Sequence, residues 1–195
     1  MTGGNNVLQT LAAAPNITGG IWRGVLGSTL PTDTTTAITT PYTSLGYVGD
    51  QGVTRQENRP NTKKFAWGGA LVASLQQSYS VTFKFQLLQP LDADVLKAVH
   101  SDGNVNVTAA TTTVGTITTT NLNPTLNVNA VWVFEGFYQL ATVRQALPIA
   151  RVTEVGAYKW THLDLAVYDV TMEAFPDTSG NFVYEITDDG VVAAS

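Results

Sequence analysis

Two histidines, His100 and His162, stand 62 positions apart in a chain of 195 residues that contains no cysteine. That combination offers no thiolate nucleophile, no disulfide and no sequence-local zinc set. A phosphate-cradling glycine loop and a Gly-x-Ser-x-Gly elbow are also missing. Two carboxylate pairs could in principle serve as acid and base or hold calcium: Asp92 with Asp94, and Asp188 with Asp189. The first pair sits where a helix is expected to begin, and acids there answer the helix dipole. The second lies in an acidic C-terminal tail, residues 188–195. His100 falls in the last turn of the same expected helix, where the dipole favours partial positive charge. The chain is therefore read as non-enzymatic, with no cofactor and no metal.

A cluster of bases carries more information. Arg55, Arg59, Lys63 and Lys64 are four of only ten Lys and Arg residues. Less Glu57, they give residues 55–64 a charge of +3, and the total of −5 leaves −8 on the rest. A cationic segment on an anionic body can dock head to tail onto a second copy, and repetition of such a contact makes rings or filaments. Only 13% of residues are charged, against about 25% in ordinary soluble domains, so much of the surface is expected to lie against partners. The acidic balance argues against ordinary nucleic-acid binding, which sets Lys and Arg against phosphates. No Lys or Arg occurs in the first 22 residues, so a secretory leader is not expected. No apolar run approaches the roughly 20 residues that cross a bilayer, and no membrane partner is expected.

The elements that would position these residues are mostly strands in one domain, 1–195. Residues 1–20 are uncharged and rich in Asn, Gly, Thr and Ala, which reads as an arm, with Trp22 as its anchor or as a core residue. Residues 49–64, polar and carrying Pro60, read as a long loop. Tyr79, Val81, Phe83, Phe85 and Leu87 alternate with polar residues, predicting a half-buried strand, with 71–77 as its hairpin partner. Pro90, the cap Asp92, and Leu91, Val95 and Val99 on one face predict a single helix ending at Gly103. Residues 105–129 are Thr-rich strand material. Residues 128–140 are apolar on both faces, and 163–175 alternate with a change of face near Tyr168 that suggests a bulge. A hairpin through 176–181 then leads to a strand at 182–187.

Several segments, read in order, resemble the major tail protein, or tail tube protein, of long non-contractile-tailed phages, most closely those of actinobacteria. They are Gly19-Gly20-Ile21-Trp22, Leu26-Gly27-Ser28-Thr29-Leu30-Pro31-Thr32-Asp33, Leu45-Gly46-Tyr47-Val48, Asp50-Gln51-Gly52-Val53-Thr54 and Ala66-Trp67-Gly68. Tyr79-Ser80-Val81-Thr82-Phe83, Asp94-Val95-Leu96-Lys97-Ala98-Val99, Gly103-Asn104 and Tyr168-Asp169-Val170-Thr171 continue the series. The resemblance implies a mainly β fold, a β-sandwich or barrel with one short flanking helix, six copies to a ring, and rings stacked into a tube that conducts double-stranded DNA. It implies self-contacts through the N-terminal arm and the 49–64 loop, for which Val7, Leu8, Leu11, Trp22, Arg55, Arg59, Lys63 and Lys64 are the candidates. Further implied partners are tape-measure, tail-tip and tail-terminator proteins, and the implied location is the virion tail after assembly in the host cytoplasm. The wet faces of the long strands would line the lumen with Ser80, Thr82, Lys84, Gln86, Asp169, Thr171 and Glu173, which let DNA pass without specific binding. On that face Lys84 needs a neighbouring acid, or it would hold phosphate.

An alternative from another class is a sugar-binding or adhesive β-sandwich of a virion or cell envelope, in which Trp132, Tyr158 and Trp160 would stack on glycans. Sandwich folds host both functions, so the fold alone does not separate them.

Overall fold

Cross-strand pairing organises nearly everything in the computed structural model, which describes residues 12–15 and 19–191. The strands are β1 Ile21–Gly24, β2 Tyr42–Ser44, β3 Val48–Asn58, β4 Asn61–Phe65, β5 Leu71–Gln76, β6 Ser80–Leu87, β7 Val105–Thr108, β8 Ile117–Thr120, β9 Ala130–Tyr138, β10 Ala141–Val155, β11 Tyr168–Phe175 and β12 Tyr184–Asp188. Among the described residues a single α-helix, α1 Ala93–His100, follows β6. Eight strands form one antiparallel sheet in the order β2-β1-β9-β10-β11-β6-β3, with β12 added on β10. Two separate ribbons, β4–β5 and β7–β8, complete a mainly β protein.

The sheet coils so that distant strands face each other across one core. Phe83 on β6 stacks on Phe134 of β9 with ring centroids 5.0 Å apart, although β11 and β10 lie between them in the sheet. Alternation on β6 puts Val81, Phe83, Phe85 and Leu87 inside, and α1 adds Val95 and Val99 to the same cluster. Each such side chain contributes about 1.5–3 kcal/mol by leaving water. On the outer face of β1, β9 and β10, a smaller cluster of Trp22, Val133 and Ala146 is covered by Leu30 and Ile38. With Trp132 and Phe134 inside and Val131 and Val133 outside, β9 is buried on both faces, as its double apolar pattern predicts.

Several expectations need correction. The stretch 49–64 is strand over most of its length, β3 and then β4, rather than loop. Its apolar period is absent because β3 lies at the sheet edge and β4 pairs only with β5, so neither must bury a whole face. For the same reason 71–77 does not fold back on β6; β5 pairs with β4 instead. The helix is capped as expected, Asp94 N donating to Asp92 Oδ1 at 2.9 Å. Leu91 precedes it and is exposed, and the helix stops at His100, where Ser101 turns to φ 75°. Residues 163–167 are outside any strand; the register shift lies in β10, between Val152 and Glu154. The 176–181 turn forms, Asp177 N donating to Asn181 O at 3.0 Å, yet β11 and β12 pair with successive parts of β10 rather than with each other.

Candidate functional site

Two surfaces are built by these strands, and the first is an arm. The β3–β6 ladder runs to Asn58 opposite Ser80 and resumes beyond Arg59 and Pro60 as β4–β5, from Asn61 opposite Gln76 to Phe65 opposite Leu71. Gln77 N bridges the gap to Pro60 O at 2.9 Å. At the tip, Gly68 and Gly69 take φ of 113° and 86°, a left-handed region that glycine enters without strain. The ribbon leaves Phe65, Trp67, Leu71, Val72 and Leu75 exposed, Trp67 completely so. A two-stranded ribbon is at best marginal in water without a face to pack on. Lys63 and Lys64, opposite Ser74 and Ala73, are exposed on alternate faces of this arm and make no ion pair among the described residues.

The other two bases of the cluster behave differently. Arg55 Nη1 donates to Glu185 Oε2 at 2.5 Å, and Arg55 lies 3.7 Å from Glu57. Arg59 pairs with Glu57 at 3.4 Å and lies 4.3 Å over the Tyr79 ring. The Tyr79 hydroxyl donates to Glu57 at 3.1 Å; that bond first, then Arg59 and Arg55, holds the Glu57 carboxyl below its ordinary pKa. Arg55 and Arg59 are thus engaged within the chain, unlike Lys63 and Lys64. Trp22, a candidate contact, is a core residue buried against Val133 and Ala146. Val7, Leu8 and Leu11 lie outside the described residues. Of the N-terminal segment, Ala14 forms an antiparallel bridge with Phe137, with hydrogen bonds of 2.9 and 2.8 Å.

The second surface is polar. Antiparallel register sets Glu173 opposite Thr82, Thr171 opposite Lys84 and Asp169 opposite Gln86. On the other flank Asn58 faces Ser80, Gln56 faces Thr82 and Thr54 faces Lys84. Directly opposed residues share a face, so all seven lumen candidates come together on one side of β6 and β11, behind the buried Val81, Phe83, Phe85, Val170 and Met172. Gln86 Nε2 donates to Asp169 Oδ1 at 2.8 Å. Lys84 is exposed and shares a cleft of about 260 Å³ with Glu154 and Asp169.

Among the described residues no three His, Cys, Asp or Glu side chains converge on a metal position. His100 packs edge-on against Tyr168 at 5.5 Å, and burial pushes its pKa down, against the direction expected from the helix dipole. Asp188 and Asp189 accept from the backbone of Gly190 and Val191. No helix of the described residues is long and apolar enough to cross a membrane.

The most buried ion pair escaped the sequence. Arg144 is only 3% exposed; it bonds Glu135 and donates to the carbonyls of Asp33 at 2.7 Å, Thr36 at 3.0 Å and Thr34 at 3.3 Å. A usable signal existed, since a two-residue turn at Gln139-Leu140 sets Glu135 opposite Arg144. That turn lacks the Gly or Asn that advertises a hairpin, although Gln139 takes φ 56°.

No protein-family model matches this chain, and no curated protein does. Among solved structures, a chain in a cryo-EM structure of an extracellular contractile injection system, the PVC sheath-tube complex in extended state, is similar over 93% of this chain and 98% of its own, at 9% identity and a TM-score of 0.42. A likeness at that level decides neither topology nor role.

Proposed function

We propose that this chain is a structural subunit that assembles with copies of itself, as stacked rings forming the tail tube of a long non-contractile-tailed phage. The observation that carries self-assembly is the arm: a two-stranded ribbon with five exposed apolar side chains that pairs with no other strand among the described residues. Exposed large apolar side chains clustered on one element mark an interface. The polar face of β3, β6, β11 and β10 supports the conducting role, because Lys84 sits among Thr54, Thr171, Glu154 and Asp169 and a lumen for DNA has to offer phosphates little net attraction. Six copies per ring, a tape-measure protein inside, tip and terminator proteins at the ends, and assembly in the host cytoplasm belong to the same reading through the sequence resemblance.

Of the glycan-binding candidates Trp160 is exposed, but the other two are engaged within the chain. Trp132 is 2% exposed in the core, and Tyr158 spends a ring face on Tyr168 at 4.8 Å. Electron microscopy of the concentrated protein tests the proposal. Wild type is expected to form rings or tubes, and the Trp67→Ser, Val72→Ser variant to stay dispersed with unchanged circular dichroism. Tubes of normal length from that variant, or a wild type that never assembles, would overturn it.

A further inference from the structure

The arm leaves the body at a natural pivot. The main ladder ends at Asn58 and Ser80 and the arm ladder starts at Asn61 and Gln76. Between them lie Arg59 and Pro60 on one strand and Gln77, Ser78 and Tyr79 on the other, joined by one backbone hydrogen bond. Pro60 has no N–H to contribute. A ribbon held only by such a junction would swing.

At this junction six polar or charged side chains from four segments converge. Glu57 accepts from Tyr79 and Arg59, Arg55 bridges Glu57 and Glu185 of β12, and Gln145 Nε2 donates to Glu185 at 2.7 Å. Arg59 lies over the Tyr79 ring, whose edge meets Phe182 in the 176–183 connection at 4.9 Å. Each contact alone is an exposed pair of small value; the bonds of Arg59 and Tyr79 to Glu57 hold the junction itself, and Arg55 links Glu57 on to Glu185. We infer that the Arg55–Glu57–Arg59–Tyr79–Glu185 cluster is a clasp that sets the direction of the arm before assembly, tying its root to β12. Holding a binding element in one orientation in advance lowers the entropy lost on docking. The inference rests on reading the arm as the contact element, and it divides the basic cluster by role: Arg55 and Arg59 orient the arm, whereas Lys63 and Lys64 remain on its surface for a partner.

The absence of cysteine permits a clean measurement on the unassembled full chain. Spin labels on Trp67→Cys at the tip and Thr178→Cys on the body report the arm-to-body distance. The clasped protein is expected to give one narrow distribution. Glu57→Gln with Glu185→Gln is expected to broaden it and shift its mean, as is about 1 M salt on the unsubstituted clasp, where the screening length is near 3 Å. Lys63→Gln with Lys64→Gln should leave it narrow. An equally narrow distribution in the double Gln variant and at high salt would overturn the clasp, as would broadening by the Lys63 and Lys64 changes. Because the readout precedes assembly, it is independent of whether tubes form.

Discussion

Arg144 shows how much of this fold hangs on one side chain whose type says little in the sequence. Its guanidinium neutralises Glu135 and collects three carbonyls of the 33–36 turn, which in turn carries the loop over Trp22 and Val133. Arg144→Met leaves a buried carboxylate unpaired, and the expected loss is about 3–5 kcal/mol, read from the denaturant midpoint. The same turn predicts a pH effect. Asp33 accepts from the backbone N–H of Thr36 at 2.6 Å and Thr35 at 2.8 Å and from the Thr36 hydroxyl, and these bonds, that of the Thr36 backbone first, lower its pKa from 3.8 to about 2. A depressed folded pKa contributes stability above the unfolded value and loses it as pH falls through the folded one. Wild type is therefore expected to lose melting temperature between pH 4 and pH 2, and Asp33→Ala to lose less over that window. Parallel melting curves for the two proteins would exclude the turn as the cause.

Among the elements, the helix and the amphipathic strand were legible and the arm was not. The helix announces itself through Pro90, Asp92 and the spacing of Val95 and Val99, and β6 through strict alternation against a core. Asp92→Ala removes the bond to Asp94 N and is expected to cost about 1 kcal/mol, measured by thermal unfolding; an unchanged melting temperature would place the cap elsewhere. The arm carries no comparable signal. A ribbon without a buried face has no reason to alternate, so β3 and β4 read as a polar loop, and β5 as a partner for its neighbour in sequence. Pairing over the shortest connection is the usual outcome, and here the nearer partner, β6, was already taken by β3.

For the whole molecule, the polar face gives the most direct test of the conducting role. Asp169 and Glu173 flank Lys84 on β11, and Arg151 lies opposite Glu173 on β10. Asp169→Lys with Glu173→Lys makes that face cationic without touching the core behind it. If the face lines a channel, assembled variant tubes should retain double-stranded DNA at low salt and release it as salt rises, since each phosphate neutralised steepens the salt dependence. A gel-retardation series on wild-type and variant tubes reads this. No retention by the variant at any salt would move the face to the outside of the assembly.

Composition and local pattern already determined the lack of cysteine, the mainly β class, the helix after Pro90 and the polar alternation of β6 and β11. Those properties are local: a residue type is present or absent, and a strand half in water alternates whatever its neighbours are. Tertiary structure alone decided that Trp22 is core, that Arg55 and Arg59 are held by Glu57 and a residue 130 positions away, and that seven scattered residues form one face. Each of these depends on which strands pair and in what register, and register joins positions that no local period connects.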